Sequence, residues 1–114
     1  MNTPQLVPVD LGFSTADADV PELRLSTDCL ILTFRDWRAD LTEHRFAEVI
    51  AFRWAAAQSL PTPRDDAAYE LLGSEWLHDE LAAEQIPAGR DFAHYVICFN
   101  SSKTLEVLCR RSSR

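Results

Sequence analysis

The side chains best equipped for chemistry in this chain are its carboxylates, and they are concentrated. Between Arg64 and Asp91 stand eight acids (Asp65, Asp66, Glu70, Glu75, Asp79, Glu80, Glu84, Asp91) against two bases, Arg64 and Arg90. The adjacent pairs Asp65-Asp66 and Asp79-Glu80 carry the groups of general acid–base work. That work needs carboxyls opposed across a cleft, one with its pKa raised by burial, whereas neighbours on an exposed segment are solvated. His44, His78 and His94 are scattered, without an HExxH or a Cys/His pair at zinc-ligand spacing. His78 and Asp79, if helical, point about 100° apart. Ser101-Ser102 lacks a GxSxG frame, and Gly12, Gly73 and Gly89 are too scattered for a phosphate-cradling loop. Cys29, Cys98 and Cys109 are odd in number, lack CxxC spacing and lie in or end apolar runs. They read as small buried hydrophobes in a reducing compartment; a disulfide between the hairpin neighbours Cys98 and Cys109 is an open alternative that the fold does not need. No metal or cofactor is expected, and the sequence carries no catalytic signature.

Binding is what remains. A net charge of −7 and a pI near 4.8 exclude a sequence-independent grip on nucleic acid or on an anionic membrane, both of which rest on Lys and Arg. Such a chain suits a basic protein partner. The opening residues have neither a basic n-region nor an apolar h-region, and the dense apolar runs, 29–32 and 95–99, fall far short of the roughly 20 residues of a membrane helix. A soluble, cytoplasmic protein is expected.

The elements that must position these groups follow from pattern. At 114 residues the chain is one domain. Residues 1–20, with Pro4 and Pro8 and no sustained period, read as an extended arm able to dock on a sheet edge; 21–111 form the domain and 112–114 a frayed tail. Residues 22–26 and 29–34 read as two strands around a tight turn, followed by a polar connector, 36–42, holding Trp37. Residues 44–57 fit both a strand and a helix; the β-rich surroundings favour a strand, bulged near Ala47-Glu48. A loop over 59–64 and a short strand over 69–72 come next. Ser74 is a good N-cap for a helix over 75–85, with Leu77 and Leu81 facing inward, Trp76 and Ala83 widening that stripe, and 86–89 ending it.

Residues 94–110 predict a β-hairpin around 100–103. A three-residue loop pairs Phe99 with Leu105, Ile97 with Val107 and Tyr95 with Cys109, putting all six on one face. His94, Val96, Cys98, Thr104, Glu106, Leu108 and Arg110 then share the other, which keeps Glu106 out of the first face's core.

On the helix, Glu75 with Asp79 and Glu80 with Glu84 are like charges at i, i+4, each unfavourable by a few tenths of a kcal/mol. The positive helix N-terminus offsets this for Glu75 and Asp79 but not for Glu84 in the last turn. Such a ridge reads either as a solvated acidic face tolerated for solubility or as one that complements a cationic partner, with Trp37 and Trp76 as aromatic anchors beside it. The expected partner-binding set is therefore Trp37, Asp65, Asp66, Glu75, Trp76, Asp79, Glu80 and Glu84.

The motifs Phe46-x-x-Val49-x-Ala51-Phe52-Arg53, Ser74-Glu75-Trp76-Leu77, His94-Tyr95-x-x-Cys98-Phe99-Asn100 and Leu105-Glu106-Val107 look like those of small bacterial proteins similar in size, acidity and layout to immunity proteins of bacterial toxin systems. The resemblance spans about residues 23–110. It implies a stoichiometric inhibitor that shields a cognate toxin by direct contact and brings no catalytic residues with it. The expectation is thus an α+β domain, a mainly antiparallel sheet of about five strands with one main helix packed on one face. Its function is that of a non-catalytic acidic binding protein, monomer or homodimer, the dimer joined through the C-terminal hairpin edge. The alternative is a small enzyme or ligand-binding module whose pocket, between helix and sheet, is lined by Tyr95, His94 or Trp54.

Overall fold

The computed structural model describes residues 5–12, 21–27, 29–35, 38–56, 68–84, 91–99 and 103–111. Its elements, in chain order, are β1 (Gln5–Pro8), β2 (Glu22–Ser26), β3 (Cys29–Arg35), β4 (Leu41–Ala47), β5 (Ala51–Ala56), β6 (Ala68–Leu72), α1 (Glu75–Ala83), β7 (Phe92–Cys98) and β8 (Lys103–Arg110). The strands form two antiparallel sheets, one ordered β1-β6-β7-β8-β5 and one ordered β2-β3-β4.

This corrects the expected α+β fold. The protein is mostly β, and what covers the inner face of the larger sheet is the second sheet, not the helix. Leu30, Leu32, Phe34 and Phe46 from the small sheet share one buried cluster with Ala93, Tyr95, Ile97, Phe99, Leu105, Val107 and Cys109 from the large one. Phe34 meets Phe99 edge-on at 5.6 Å, and Phe46 lies 6.3 Å from Tyr95 across the same layer. The helix buries none of its own residues. Leu77 and Leu81 are half-buried, Ala82 and Ala83 exposed, and so narrow an apolar face cannot cover a sheet.

In the ambiguous segment residues 44–47 and 51–56 are strand, on either side of a break. Glu48 adopts φ 48°, and the chain leaves the small sheet after Ala47 and enters the large one at Ala51. Where a bulge within one strand was expected, the chain changes sheets. The strand reading holds for both parts, but they serve different sheets, so Phe46 is buried while Phe52 and Trp54 on β5 remain partly exposed.

The hairpin pairs Ile97 with Leu105 and Tyr95 with Val107, a register two residues away from the expected one. A shift of two preserves facing, so all six expected core residues reach the main cluster. Both flanks of the hairpin are occupied, by β6 on β7 and by β5 on β8, so its edges are not available for a dimer. Cys98 and Cys109 fall on opposite faces of the sheet, and none of the three cysteines is in a disulfide.

Candidate functional site

The second face of the large sheet is where polar chemistry gathers. By strand alternation His94, Val96 and Cys98 on β7 share it with Thr104, Glu106 and Leu108 on β8, and Arg53 on β5 stands directly opposite Glu106. This face is buried too: Val96, Glu106 and Leu108 are fully inaccessible, and His94 and Thr104 nearly so. A carboxylate there must be paired or it destabilises the fold.

Glu106 is held from two sides. The Arg53 guanidinium donates from Nε and Nη2 to its two oxygens at 3.1 and 3.2 Å, a bidentate pair set by the β5–β8 register. His94 Nε2 lies 2.7 Å from Oε1. Burial works to raise the Glu106 pKa, but the hydrogen bonds from His94 and Arg53, with the Arg53 charge, outweigh it and leave the carboxyl below its ordinary range. Glu106 is therefore an ionised acceptor, and His94 Nε2 carries a proton toward it.

The other ring nitrogen, Nδ1, lies 2.7 Å from Ser74 Oγ. Ser74 sits in extended backbone (φ −70°, ψ 118°) between Gly73 and α1, and its Oγ accepts the Leu77 N–H at 3.1 Å as the helix N-cap. Gly73 makes this possible, since its φ of 74° turns the chain sharply from β6 into the helix. In the ring tautomer with its hydrogen on Nε2, the Ser74 hydroxyl donates to Nδ1. Ser74, His94, Glu106 and Arg53 thus form one continuous hydrogen-bonded chain from helix cap to edge strand.

Trp76, in the first turn of α1, closes that chain. Its ring meets His94 edge-on at 5.4 Å, and the Arg53 guanidinium lies 4.0 Å above its centroid, a cation–π contact. The helix is consequently fixed to the sheet by Ser74 and Trp76 rather than by an apolar face.

Of the residues expected to bind a partner, Glu75, Asp79 and Glu84 are exposed and Glu80 is half-buried. The helix ends at Ala83, with Glu84 as its C-cap, shorter than the expected span. Trp76 is half-buried and already engaged by Arg53 and His94. Trp37, Asp65 and Asp66 lie outside the described residues. So do the loop over 59–64, the helix exit over 86–89 and the hairpin tip.

Sequence reasoning did not find the chain around Glu106. It placed Ser74 as a cap, His94 among scattered histidines and Glu106 on the face away from the first core, each in isolation. The signal available was the parity that puts His94 and Glu106 on one hairpin face. What hid it was that Arg53 and Ser74 reach this face only through the strand order of the sheet and the β6–α1 junction.

Two cavities flank these elements. One, about 530 Å³, is lined by Gly73, Ser74, Glu75, Leu77, His78, Asp79 and Leu81 at the start of the helix. The other, about 560 Å³, opens between the end of β4 and β8 and includes Tyr95, Asp91, Arg110 and Arg111. Of His94, Tyr95 and Trp54, Tyr95 lines the second of these two cavities and the other two line neither. Among the described residues no group of three His, Cys, Asp or Glu side chains is placed to hold a metal ion, and no helix is long and apolar enough to cross a membrane. Comparison of the chain with protein-family models, with curated proteins and with solved structures gives no match.

Proposed function

We propose that the protein is a cytoplasmic, immunity-type binding protein that neutralises a basic toxin or enzyme by direct contact through the acidic helix. The observation that carries this reading is the way α1 is mounted. The helix buries none of its residues, yet its cap is hydrogen-bonded to His94 and its Trp76 is clamped beneath Arg53. An element so exposed and so firmly attached presents its carboxylates at fixed positions, which lowers the ordering cost of binding. Glu75 and Asp79, one turn apart on the exposed helix, project together as a negative edge, and such an edge steers a cationic partner during encounter. The like-charge repulsion at i, i+4 is relieved when the partner supplies Lys or Arg.

Affinity capture from the native host tests this. The wild-type protein is compared with a variant carrying Glu75→Gln, Asp79→Asn, Glu80→Gln and Glu84→Gln. The expected result is a basic protein retained by the wild type and lost from the variant. Retention of the same protein by both removes the helix from the interaction.

A further inference from the structure

The serine at the head of the buried chain has the surroundings of a nucleophile, and none of the helix carboxylates belongs to its hydrogen-bonded chain. Three observations converge on it. Ser74 Oγ, His94 Nδ1, His94 Nε2 and Glu106 Oε1 are joined by two 2.7 Å hydrogen bonds in the order hydroxyl, imidazole, carboxylate. Ser74 occupies a strand–turn–helix junction, between β6 and α1, where Gly73 supplies the positive φ of the turn. And Ser74, alone among the three, lines the cavity of about 530 Å³ at the helix start, a volume within the range of small-ligand sites.

We propose that Ser74 and His94 are the catalytic residues of an acyl-transfer site for small carboxylic esters, with Glu106 as the positioning residue. The Ser74 Oγ attacks the ester carbonyl carbon while His94 Nδ1 takes the hydroxyl proton; Glu106 holds the ring and balances the imidazolium that forms. Collapse of the tetrahedral adduct breaks the carbon–oxygen bond to the leaving alcohol, which receives the proton from Nδ1. Water, deprotonated by the same nitrogen, then releases the carboxylic acid and restores the serine.

The valences of Ser74 Oγ allow this. Its proton goes to His94, one lone pair accepts the Leu77 N–H, and the second is left for attack. The cap bond and the positive end of α1 stabilise the developing alkoxide. The first-turn N–H groups of Glu75 and Trp76 have no acceptor within the helix and point out of its N-terminal end, where an oxyanion would form. Leu77 and Leu81 give the cavity apolar surface, and Glu75 with Asp79 give it a negative rim, so the substrate class is a short acyl ester of a neutral or cationic alcohol.

The test is labelling of the folded wild-type protein with a fluorophosphonate probe, followed by peptide mapping, together with hydrolysis of p-nitrophenyl acetate. The expected result is one adduct, on Ser74, and a kcat/KM that falls at least 100-fold in both Ser74→Ala and His94→Gln. Peptide mapping of the wild type needs no substitution, so a variant that fails to fold does not blunt the test. Absence of an adduct on Ser74, or ester hydrolysis by Ser74→Ala as fast as by the wild type, overturns the proposal and leaves the chain as a structural tie between helix and sheet. Neither outcome bears on capture of a basic partner by the helix ridge.

Discussion

Replacing Arg53 with alanine takes two hydrogen bonds and a balancing charge from the Glu106 carboxylate, which has no access to solvent. Breaking a buried ion pair by removing one partner destabilises by about 3–5 kcal/mol. Half of the Arg53 side chain is exposed, at 50%, and solvent screening there reduces the figure to roughly 2 kcal/mol. Loss of the cation–π contact with Trp76 adds about 0.5–1 kcal/mol. The sum, about 2.5–3 kcal/mol, corresponds to a Tm lowered by about 10 °C for a domain of this size. The pH dependence carries the sign. In the wild type the folded-state pKa of Glu106 is depressed, so its stabilising contribution is complete above the ordinary carboxyl value of 4.5 and is lost as pH falls through the lower folded value. In Arg53→Ala, desolvation is less opposed and the carboxyl pKa rises, so protonation relieves the variant. Urea unfolding at neutral pH and again below pH 4.5 therefore shows a difference between the two proteins that narrows toward acid, with m unchanged. A loss under about 0.5 kcal/mol at neutral pH, or one as large in acid, refutes the reasoning that Arg53 serves to neutralise Glu106.

Two further outcomes follow from local geometry. Ala39 holds φ 63°, in the left-handed region that disfavours a Cβ, so Ala39→Gly raises stability by roughly 1 kcal/mol in urea unfolding while the Arg35 side chain keeps its 3.0 Å bond to the carbonyl of residue 39. Burial pushes the Cys109 thiol up to about 12, and Cys98 is also buried whereas Cys29 is half-exposed; a thiol reagent at pH near 8 should modify Cys29 first and reach the other two only on unfolding, as mass mapping would show.

How much of this was legible in the sequence depends on which distance the information spans. Local chemistry read well. Ser74 caps the helix as expected, residues 22–26 and 29–35 form two paired antiparallel strands, and period two in the last strands put the six apolar hairpin residues into the main core. What failed was the accounting of faces. A sequence read as one sheet with a covering helix assigns one buried face, but here a second sheet covers that face, and the opposite one is buried as well, holding Tyr69, Leu71, Val96 and Cys98. The helix residues Leu77 and Leu81 have the spacing of a core stripe, yet nine residues with two leucines and exposed alanines bury nothing fully. Glu106 shows the cost of that error most clearly. Parity moved it off one core and onto another face as thoroughly buried, where only Arg53, 53 residues away in sequence, and His94 make its charge tolerable. Partners that distant are set by strand order, which no local pattern encodes.

The acidic helix as a recognition element is tested most directly by the association rate of the captured basic partner, measured at low and high ionic strength for the wild type and for the variant neutralised at Glu75, Asp79, Glu80 and Glu84. The variant is expected to fold with stability equal to the wild type or a few tenths of a kcal/mol higher, because two like-charge i, i+4 pairs are gone. The account predicts a wild-type rate that falls at least roughly tenfold with added salt and a variant that is slow and nearly insensitive to salt. A wild-type rate that does not depend on salt, or a variant that associates as fast as the wild type, contradicts it.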